Sequence, residues 1–315
     1  MHSLAVSVII PALNAEQHLK TCLAALRRQS LPFDQFEIIV VDNGSTDNTC
    51  QVATSFSATL LVHPGIRVGA LRNRGAVVAK GAVLAFLDSD CIPEPNWLER
   101  GLESLAQLPS ITGAPYETPP DANWLQRAWF SQRKAGRRES ELINSGNLFV
   151  PKAIFHTIGG FDETLQSGED AEFCLRAKQH TSVVIDDRIR VVHLGNPNTL
   201  GEFCRRELWY GLGALGSAKL NLADKPLIGT LLFLLFTLMQ CVGILSFFLG
   251  ASHSLLLIST LLVIGLVVLT VFYRGLQYQN WQHALPLALL YYLYYASRSL
   301  ALVYALREKH YYHRT

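Results

Sequence analysis

The chain has 315 residues, half of them hydrophobic, and carries 27 Lys and Arg against 25 Asp and Glu. A formal net charge of +2 provides no global positive field, so nucleic acid is not an expected partner, and the composition excludes a disordered or fibrous protein. The charges are unevenly distributed: residues 1–225 hold 22 Lys and Arg and 24 Asp and Glu, whereas residues 226–315 hold 5 and 1. The C-terminal part therefore has the composition of a membrane domain.

The N-terminal residues enter almost directly into an apolar run at residues 5–10, without the basic region, long apolar region and cleavage site of a signal peptide. We therefore expect residues 1–225 to form a cytosolic domain. The six cysteines include no C-x-x-C pair, so we expect reduced thiols in apolar sites, as is usual in a reducing compartment.

Short β-rich runs alternate with helical patterns in the first part of the chain. The runs are residues 5–10, 36–41, 59–62 and 83–87. Between the first two, the spacing of one helix face is occupied by Leu19, Cys22, Leu23 and Leu26. This alternation predicts βαβ units in an α/β fold with a mostly parallel sheet, in which the ligand crevice lies beyond the carboxyl ends of the strands.

Polar, turn-forming residues follow three of these runs, at residues 11–16, 42–47 and 88–90. Taken alone, Asp42 and Asn43 are better explained as a turn and helix cap than as a binding site. Their coincidence with polar residues at two other strand ends favours a binding site along one edge of the sheet.

The triplet Asp88-Ser89-Asp90 follows the fourth run directly. Alternate residues of an extended segment point to the same side, so the carboxylates of Asp88 and Asp90 converge. A divalent cation relieves their repulsion, and hard oxygen ligands suit Mg²⁺ or Mn²⁺ held jointly with substrate phosphates.

A second acidic cluster lies at residues 168–172, where Gly168 precedes Glu169 and Asp170. Gly168 can free the backbone at a helix start, and acidic residues in the first helical turn are favoured by the helix dipole. Helix capping explains the cluster, and so does a general base, because a carboxylate fixed at a helix start in a crevice is well placed to accept a proton.

Residues 123–138 combine aromatic and basic side chains, which suits a membrane surface with anionic lipid. The aromatic residues are Trp124, Trp129 and Phe130, and the basic residues are Arg133, Lys134, Arg137 and Arg138. A solvated helix with a packed aromatic face is the alternative. We favour the lipid-facing role.

Three apolar stretches are predicted in the C-terminal domain, at about residues 226–250, 254–273 and 284–306. The first two carry no charge and are long enough to span a bilayer. The third contains Arg298 and is crowded with tyrosines at residues 291, 292, 294 and 295, so it either spans or lies in the interface. We expect three spans, although the positive-inside rule then disfavours the position of the basic tail after the third.

The ordered set of motifs resembles glycosyltransferase family 2 over roughly residues 5–215. The motifs are Val6-Ser7-Val8-Ile9-Ile10-Pro11 with Asn14 and Glu16, Val41-Asp42-Asn43-Gly44-Ser45-Thr46-Asp47, Arg72-Asn73-Arg74-Gly75, Asp88-Ser89-Asp90, Gly159-Gly160-Phe161-Asp162-Glu163 and Gly168-Glu169-Asp170. The resemblance implies a GT-A fold that binds a nucleoside diphosphate sugar and inverts the anomeric centre.

The same resemblance implies roles for individual residues. The nucleoside pocket would be formed by Pro11, Asn14, Glu16 and Asp42, and Asp42 would bind the nucleotide base. Arg72 would lie near the nucleotide base or the pyrophosphate of the donor. Asp88 and Asp90 would hold the ribose and the metal, and His193 would close over the metal or pyrophosphate, unless it is only a satisfied strand-end histidine. Asp170 would be the general base that deprotonates the acceptor hydroxyl.

Two departures from the family pattern narrow the prediction. Where processive members carry Q-x-x-R-W, this chain has Arg205-Arg206-Glu207-Leu208-Trp209, and Asn43 replaces the second acid of the usual Asp-Asp pair. The first departure argues against a polymer-extruding synthase, and the second leaves the preferred nucleotide base open. Together with the apolar C-terminal stretches, the resemblance predicts a membrane-anchored inverting glycosyltransferase, metal-dependent, with a lipid or lipid-linked glycan as acceptor. The alternatives are a membrane-anchored nucleotide-sugar-binding protein without catalysis and a processive polysaccharide synthase.

Overall fold

The computed structural model of the chain describes residues 4–108, 110–130, 136–140, 142–216, 225–250, 253–278 and 281–312. The strands are β1 (Val6–Ala12), β2 (Phe36–Asp42), β3 (Thr59–Val62), β4 (Val83–Leu87), β5 (Cys91–Pro93), β6 (Ser110–Gly113), β7 (Arg137–Glu139), β8 (Asn147–Pro151), β9 (Ser182–Asp186) and β10 (Val191–His193). The helices are α1 (Glu16–Leu26), α2 (Thr49–Ser55), α3 (Val68–Val78), α4 (Trp97–Gln107), α5 (Trp124–Phe130), α6 (Lys152–Ile158), α7 (Glu169–Ala177), α8 (Leu200–Gly216), α9 (Lys225–Phe248), α10 (Ser254–Tyr278) and α11 (Ala284–Tyr312).

The central sheet has eight strands in the order β3-β2-β1-β4-β8-β6-β9-β7. The four predicted strands are confirmed as β1 to β4 and pair in parallel. Strand β8 pairs antiparallel with both β4 and β6, and β7 pairs antiparallel with β9. The prediction of a mostly parallel α/β sheet is therefore confirmed, and the antiparallel strands are an addition that the periodicity did not indicate.

The sheet is covered on both faces, which explains why its central strands are apolar throughout. Alternation along β1 sends Val8 into one core cluster and Ile9 into the other. The predicted face of α1 is buried against the first cluster, including Leu19 and Leu23. Covered faces leave the carboxyl ends of the strands as the place for a site.

The amide of Asn147 joins three segments at the centre of this fold. Its Nδ2 donates to the carbonyl oxygens of Ala114 and Ile189, both at 3.0 Å, and its Oδ1 accepts from Trp97 Nε1 at 2.8 Å. The side chain is fully buried, so water cannot replace these bonds.

The chain forms two compact units. One comprises Met1–Asp121 with Arg133–Asn196 and contains the sheet; the other comprises Ala122–Gln132 with Pro197–Thr315. The division into a 1–225 catalytic domain and a 226–315 membrane domain stays a prediction. Within the second unit, helices α5, α8, α9, α10 and α11 share an apolar core that includes Phe203, Phe233 and Leu290.

Among the described residues, two helices are long and apolar enough to cross a membrane, Pro226–Phe248 and Ser254–Tyr278. The third predicted stretch is the helix α11, which extends beyond the predicted end at residue 306. Whether it spans stays a prediction.

The predicted aromatic and basic surface of residues 123–138 divides between the two units. Trp124 is 47% exposed, whereas the ring of Trp129 lies 4.9 Å from that of Phe203 inside the helical unit. Arg138 belongs to β7 and forms an ion pair with Asp187 at 3.1 Å. Arg133 and Lys134 lie outside the described residues, so the lipid-facing role stays a prediction.

Substituting Asn147 by Ala should destabilise the fold, because one indole N–H and two carbonyls lose their buried partner. At about 1–3 kcal/mol for a buried unsatisfied group, we expect the free energy of unfolding to fall by roughly 2–4 kcal/mol. Chemical denaturation of the detergent-solubilised chain measures it. The control is Gln107→Ala at an exposed amide, and a loss no greater than that of the control would contradict this role.

Candidate active site

The loops that follow β1 and β2 are joined by side-chain hydrogen bonds. Asn14 Oδ1 accepts from the backbone N–H of Thr46 at 2.8 Å, and Glu16 Oε2 accepts from Asn48 Nδ2 at 3.0 Å. Asn14 has a φ of +47°, a conformation that asparagine tolerates better than most residues. The structure thus brings Asn14 and Glu16 to the edge where Pro11 and Asp42 end their paired strands.

Asp42 is fully buried, and its carboxylate accepts hydrogen bonds inside its own loop. Oδ2 accepts from the backbone N–H groups of Gly44 and Ser45, both at 2.9 Å, and Oδ1 accepts from the Ser45 hydroxyl. Gly44, with a φ of +86°, permits this tight turn. The turn that the sequence suggested is present, and the contact of Asp42 with a nucleotide base stays a prediction.

Asn43 makes a pair of hydrogen bonds that an aspartate at this position would not make. Its Nδ2 donates to the carbonyl of Ile66 at 3.0 Å, and its Oδ1 accepts from the N–H of the same residue at 3.1 Å. A carboxylate has no donor for the carbonyl. The amide therefore holds the loop before α3 to the end of β2.

Arg72, on α3, forms a buried ion-pair triad with two acids. Its side chain is 3% exposed, and its two terminal nitrogens lie 2.7 Å from Asp88 Oδ1 and 2.8 Å from Glu169 Oε1. The triad joins the segment after β4 to the start of α7. The structure thus places Arg72 against two acidic residues, and its position near the nucleotide base or the pyrophosphate stays a prediction.

Tyr116 contacts two of the predicted site residues. Its hydroxyl donates to Asp88 Oδ2 at 3.0 Å, and its ring stacks on the imidazole of His193 with the ring centres 4.7 Å apart. Burial and the charge of Asp88 raise the pKa of Tyr116, so the phenol stays protonated and can donate. Sequence reasoning missed Tyr116, because the strand before it, β6, was not predicted.

The structure brings together the three residues predicted to hold a metal. Antiparallel pairing of β5 with β10 sets Cys91 opposite His193, and the ligand atoms of Asp88, Asp90, Cys91 and His193 all lie within 4.8 Å of one another. His193 Nε2 is 3.4 Å from Asp90 Oδ2. Asp88, Asp90 and His193 offer two carboxylates and an imidazole as ligands, beside the buried thiol of Cys91.

This donor set fits a divalent cation. Carboxylate oxygens suit Mg²⁺ and Mn²⁺, and an imidazole ligand shifts the preference towards a transition metal. His193 Nδ1 is buried and has no hydrogen-bond partner in the described part of the chain, so the ring is held by stacking rather than by a bond to that nitrogen.

Asp170 lies in the first turn of α7, directly after the buried Glu169. Gly168 precedes them with a φ of +80°, so the expected glycine at the helix start is present in the left-handed conformation. Burial, reinforced by the negative charges of Glu169 and Asp88, raises the pKa of Asp170 from 3.8 to about 6. A carboxylate with that pKa can accept a proton near neutral pH.

The raised pKa of Asp170 makes a prediction about stability. The native state holds this proton more tightly than the unfolded chain, so the associated stabilisation is complete below about pH 4 and is lost as the pH rises through about 6. Asp170→Asn should therefore raise the free energy of unfolding by about 1–2 kcal/mol at pH 7.5 and change it little at pH 4.

Denaturant titrations of the wild type and the variant at both pH values test this expectation. Asp121→Asn, at an exposed position, is the matched control. An equal stabilisation at both pH values would show that the native state does not disfavour the ionised form of Asp170.

The chain is similar to known proteins in sequence and in fold. The profile of glycosyl transferase family 2 matches residues 7–164. Glycosyltransferase AglE of Haloferax volcanii is 31% identical over 223 residues, which cover 67% of this chain and 73% of that protein. Validoxylamine A glucosyltransferase of Streptomyces hygroscopicus subsp. jinggangensis is 29% identical over 216 residues, which cover 55% of this chain and about half (51%) of that relative.

Solved structures share the fold at lower identity. S. aureus TarS 1-349 in complex with UDP-GlcNAc superposes with a TM-score of 0.51 and 22% identity, covering 71% of this chain and 70% of that one. GalNAc-T7 with UDP, GalNAc and Mn²⁺ gives a TM-score of 0.51 and 18% identity, covering 69% and 52%. The sheet is of the GT-A type. On the profile match and the relative from Haloferax volcanii, the chain belongs to glycosyl transferase family 2.

Proposed function

We propose that this chain is an inverting, metal-dependent glycosyltransferase that moves a sugar from a nucleoside diphosphate sugar to a membrane-associated acceptor, a lipid or a lipid-linked glycan. Membership of the family makes it a nucleotide-sugar glycosyltransferase. The observation that carries the finer proposal is the proximity of a metal-competent cluster around Asp88 and Asp90 to Asp170, whose pKa of about 6 suits a general base.

On the donor side, the proposed nucleoside pocket is the edge formed by Pro11, Asn14, Glu16 and Asp42. Structural neighbours were solved with UDP and UDP-GlcNAc, which supports a nucleoside diphosphate sugar as donor. Arg72 orients Asp88 through their ion pair and contributes positive charge near the acids. Mg²⁺ or Mn²⁺, held by Asp88, Asp90 and His193, would supply positive charge against the diphosphate leaving group.

On the acceptor side, Asp170 takes the proton from the acceptor hydroxyl as its oxygen attacks the anomeric carbon. The bond from that carbon to the diphosphate oxygen breaks, and the nucleoside diphosphate leaves with the bonding electrons. One displacement inverts the anomeric centre and requires no protein nucleophile. The presence of a base with a raised pKa favours this transferase over a non-catalytic binding protein.

We also propose that the chain is a multi-pass protein of the cytoplasmic membrane with its catalytic domain in the cytosol. Two helices have the length and composition for spanning. Arg298, the charge within the third, lies 3.1 Å from the carboxylate of Glu207 on α8, and its guanidinium covers the ring of Tyr294. Pairing lowers the cost of this arginine in an apolar helix, which supports three spans.

Substitutions at the Asp88–Asp90 pair and at Asp170 should have different effects on donor binding and on sugar transfer. We expect Asp90→Ala or Asp88→Ala to weaken metal-dependent donor binding, whereas Asp170→Asn retains donor binding and lowers the transfer rate by about 10² to 10⁴. Calorimetry with nucleotide sugars, with and without Mn²⁺, measures binding. Release of nucleoside diphosphate by membranes that contain the protein measures turnover and identifies the donor.

The pH profile gives an independent test of the base. Because Asp170 must be deprotonated to act, transfer should rise with pH through about 6 and level off above it. Asp121→Asn serves as the control. Near wild-type turnover by Asp170→Asn at saturating acceptor would show that another group is the base.

The proposed topology places the C-terminus outside the cell. A Thr315→Cys variant, compared with the unmodified chain, should therefore react with a membrane-impermeant thiol reagent on intact cells. The short polar segment at residue 253 lies on the same side and provides the positive control through His253→Cys. If the reagent labels the His253→Cys variant on intact cells but labels the Thr315→Cys variant only after lysis, the prediction of three spans is wrong.

A further inference from the structure

The buried thiol of Cys91 lies among the proposed metal ligands, although the transfer reaction as described does not use it. The ligand cluster comprises Asp88, Asp90, Cys91 and His193, and one ligand atom from each lies within 4.8 Å of the other three. Strand pairing explains the position of the thiol, because the antiparallel register of β5 with β10 sets Cys91 opposite His193. The cluster therefore offers two carboxylates, one imidazole and one sulfur.

The backbone packs closely against the two carboxylates of the ligand cluster. A β-carbon at Gly195 would overlap Asp90 Oδ2, and a β-carbon at Gly146 would overlap Asp88 Oδ2 and the hydroxyl of Tyr116. Only glycine, which has no β-carbon, permits so close an approach. This packing limits the rotation of both carboxylates, so the fold itself keeps them beside the sulfur and the imidazole.

Four donors at this spacing are close to the arrangement that Zn²⁺ prefers. Zinc binds four ligands in a tetrahedron, with bonds of about 2.3 Å to sulfur and about 2.0–2.2 Å to nitrogen and oxygen, so neighbouring ligand atoms lie about 3.3–3.6 Å apart. His193 Nε2 and Asp90 Oδ2, at 3.4 Å, already have this separation. The other pairs need to approach by no more than about 1.5 Å, which small side-chain rotations supply.

The sulfur changes which cation the ligand cluster prefers. Mg²⁺ favours six oxygen ligands in an octahedron, whereas thiolate and imidazole ligands favour zinc. The thiol proton of Cys91 passes to solvent when the metal binds, because the thiolate is the form that coordinates. Arg72, which pairs with Asp88 at 2.7 Å, adds positive charge beside the three anionic ligands.

We propose that Cys91 is a fourth ligand and that the ligand cluster binds Zn²⁺ with all four ligands from the protein. A closed shell of this kind has no open position for a diphosphate oxygen, unlike a catalytic zinc site, which keeps one. Zinc therefore excludes the catalytic cation and the donor, and acts as an inhibitor. The inhibition rests on the proposed transferase function, whereas zinc binding through the Cys91 thiolate does not.

Spectroscopy of the metal-stripped full-length chain in detergent tests for the thiolate ligand. Co²⁺ substitutes for zinc, and its thiolate complexes give a charge-transfer absorption in the near ultraviolet. We expect one equivalent of Co²⁺ to produce this absorption and one equivalent of Zn²⁺ to remove it. X-ray absorption at the zinc edge should show one sulfur at about 2.3 Å. A zinc shell of nitrogen and oxygen alone would overturn the proposal.

A variant and a matched control identify the sulfur. Cys91→Ser should lose the Co²⁺ absorption and bind Zn²⁺ at least tenfold more weakly in competition with a chromophoric chelator, whereas Cys22→Ser should keep both properties. Cys22 is equally buried and donates to the carbonyl oxygen of Asp88 at 3.9 Å, but it is not a member of the ligand cluster. Absorption that persists in Cys91→Ser would overturn the proposal. The zinc-edge measurement uses the unmodified chain, so it stands even where a variant fails to fold.

The zinc site and the transferase fail separately, because binding of Co²⁺ or Zn²⁺ requires no nucleotide sugar. Turnover with Mn²⁺ but no thiolate–metal absorption overturns the zinc site and leaves the transferase standing. Thiolate–metal absorption without nucleoside diphosphate release from any nucleotide sugar supports the zinc site and overturns the transferase. Where both are found, one equivalent of Zn²⁺ should release bound Mn²⁺, measured by electron paramagnetic resonance, and lower turnover at least tenfold. Mn²⁺ retained beside bound zinc would contradict the inhibitory role.

Discussion

The candidate site depends on one buried cation. Arg72 is almost fully removed from water, and a guanidinium cannot shed its charge, so the fold must supply acids around it. Asp88 and Glu169 do so from segments 16 and 97 residues away in the chain. Removing either acid would leave a buried charge undercompensated, which is far more costly than losing a surface pair. The triad therefore constrains where β4 ends and where α7 begins.

The same triad gives the acidic residues of the site different environments. Glu169 and Asp88 face Arg72, and their negative charges act on Asp170, which burial has already made harder to ionise. Neighbouring carboxylates thus differ through their surroundings alone: Asp88 and Glu169 pair with a buried cation, whereas Asp170 can take a proton near neutral pH. Tyr116 adds to this division because its hydroxyl donates to the second oxygen of Asp88 while its ring supports His193.

The helical unit uses its few charges in a comparable way. Arg298 pairs with Glu207 and covers the ring of Tyr294, while Arg274 donates to the hydroxyl of Tyr291 and the backbone carbonyl of Trp129. Burying a charged side chain among apolar helices costs free energy unless such partners are provided. Arginines at these positions therefore indicate a functional or anchoring role. In both units, arginines contact aromatic and polar neighbours: Arg72 is buried, whereas Arg274 and Arg298 are half-buried.

The sequence by itself determined the elements whose signals are local. Strands β1 to β4, the buried face of α1, the converging Asp88 and Asp90, and the glycine before Asp170 all follow from periodicity, spacing or backbone preference. The order of these motifs also determined the family. Only the tertiary structure decided what depends on distant partners: the antiparallel insertion of β8, the pairing of Asn43 with Ile66, and the roles of Tyr116 and Glu169. These contacts join residues far apart in sequence, where no local pattern records which carboxylate will meet a cation and which will be left to titrate near neutral pH.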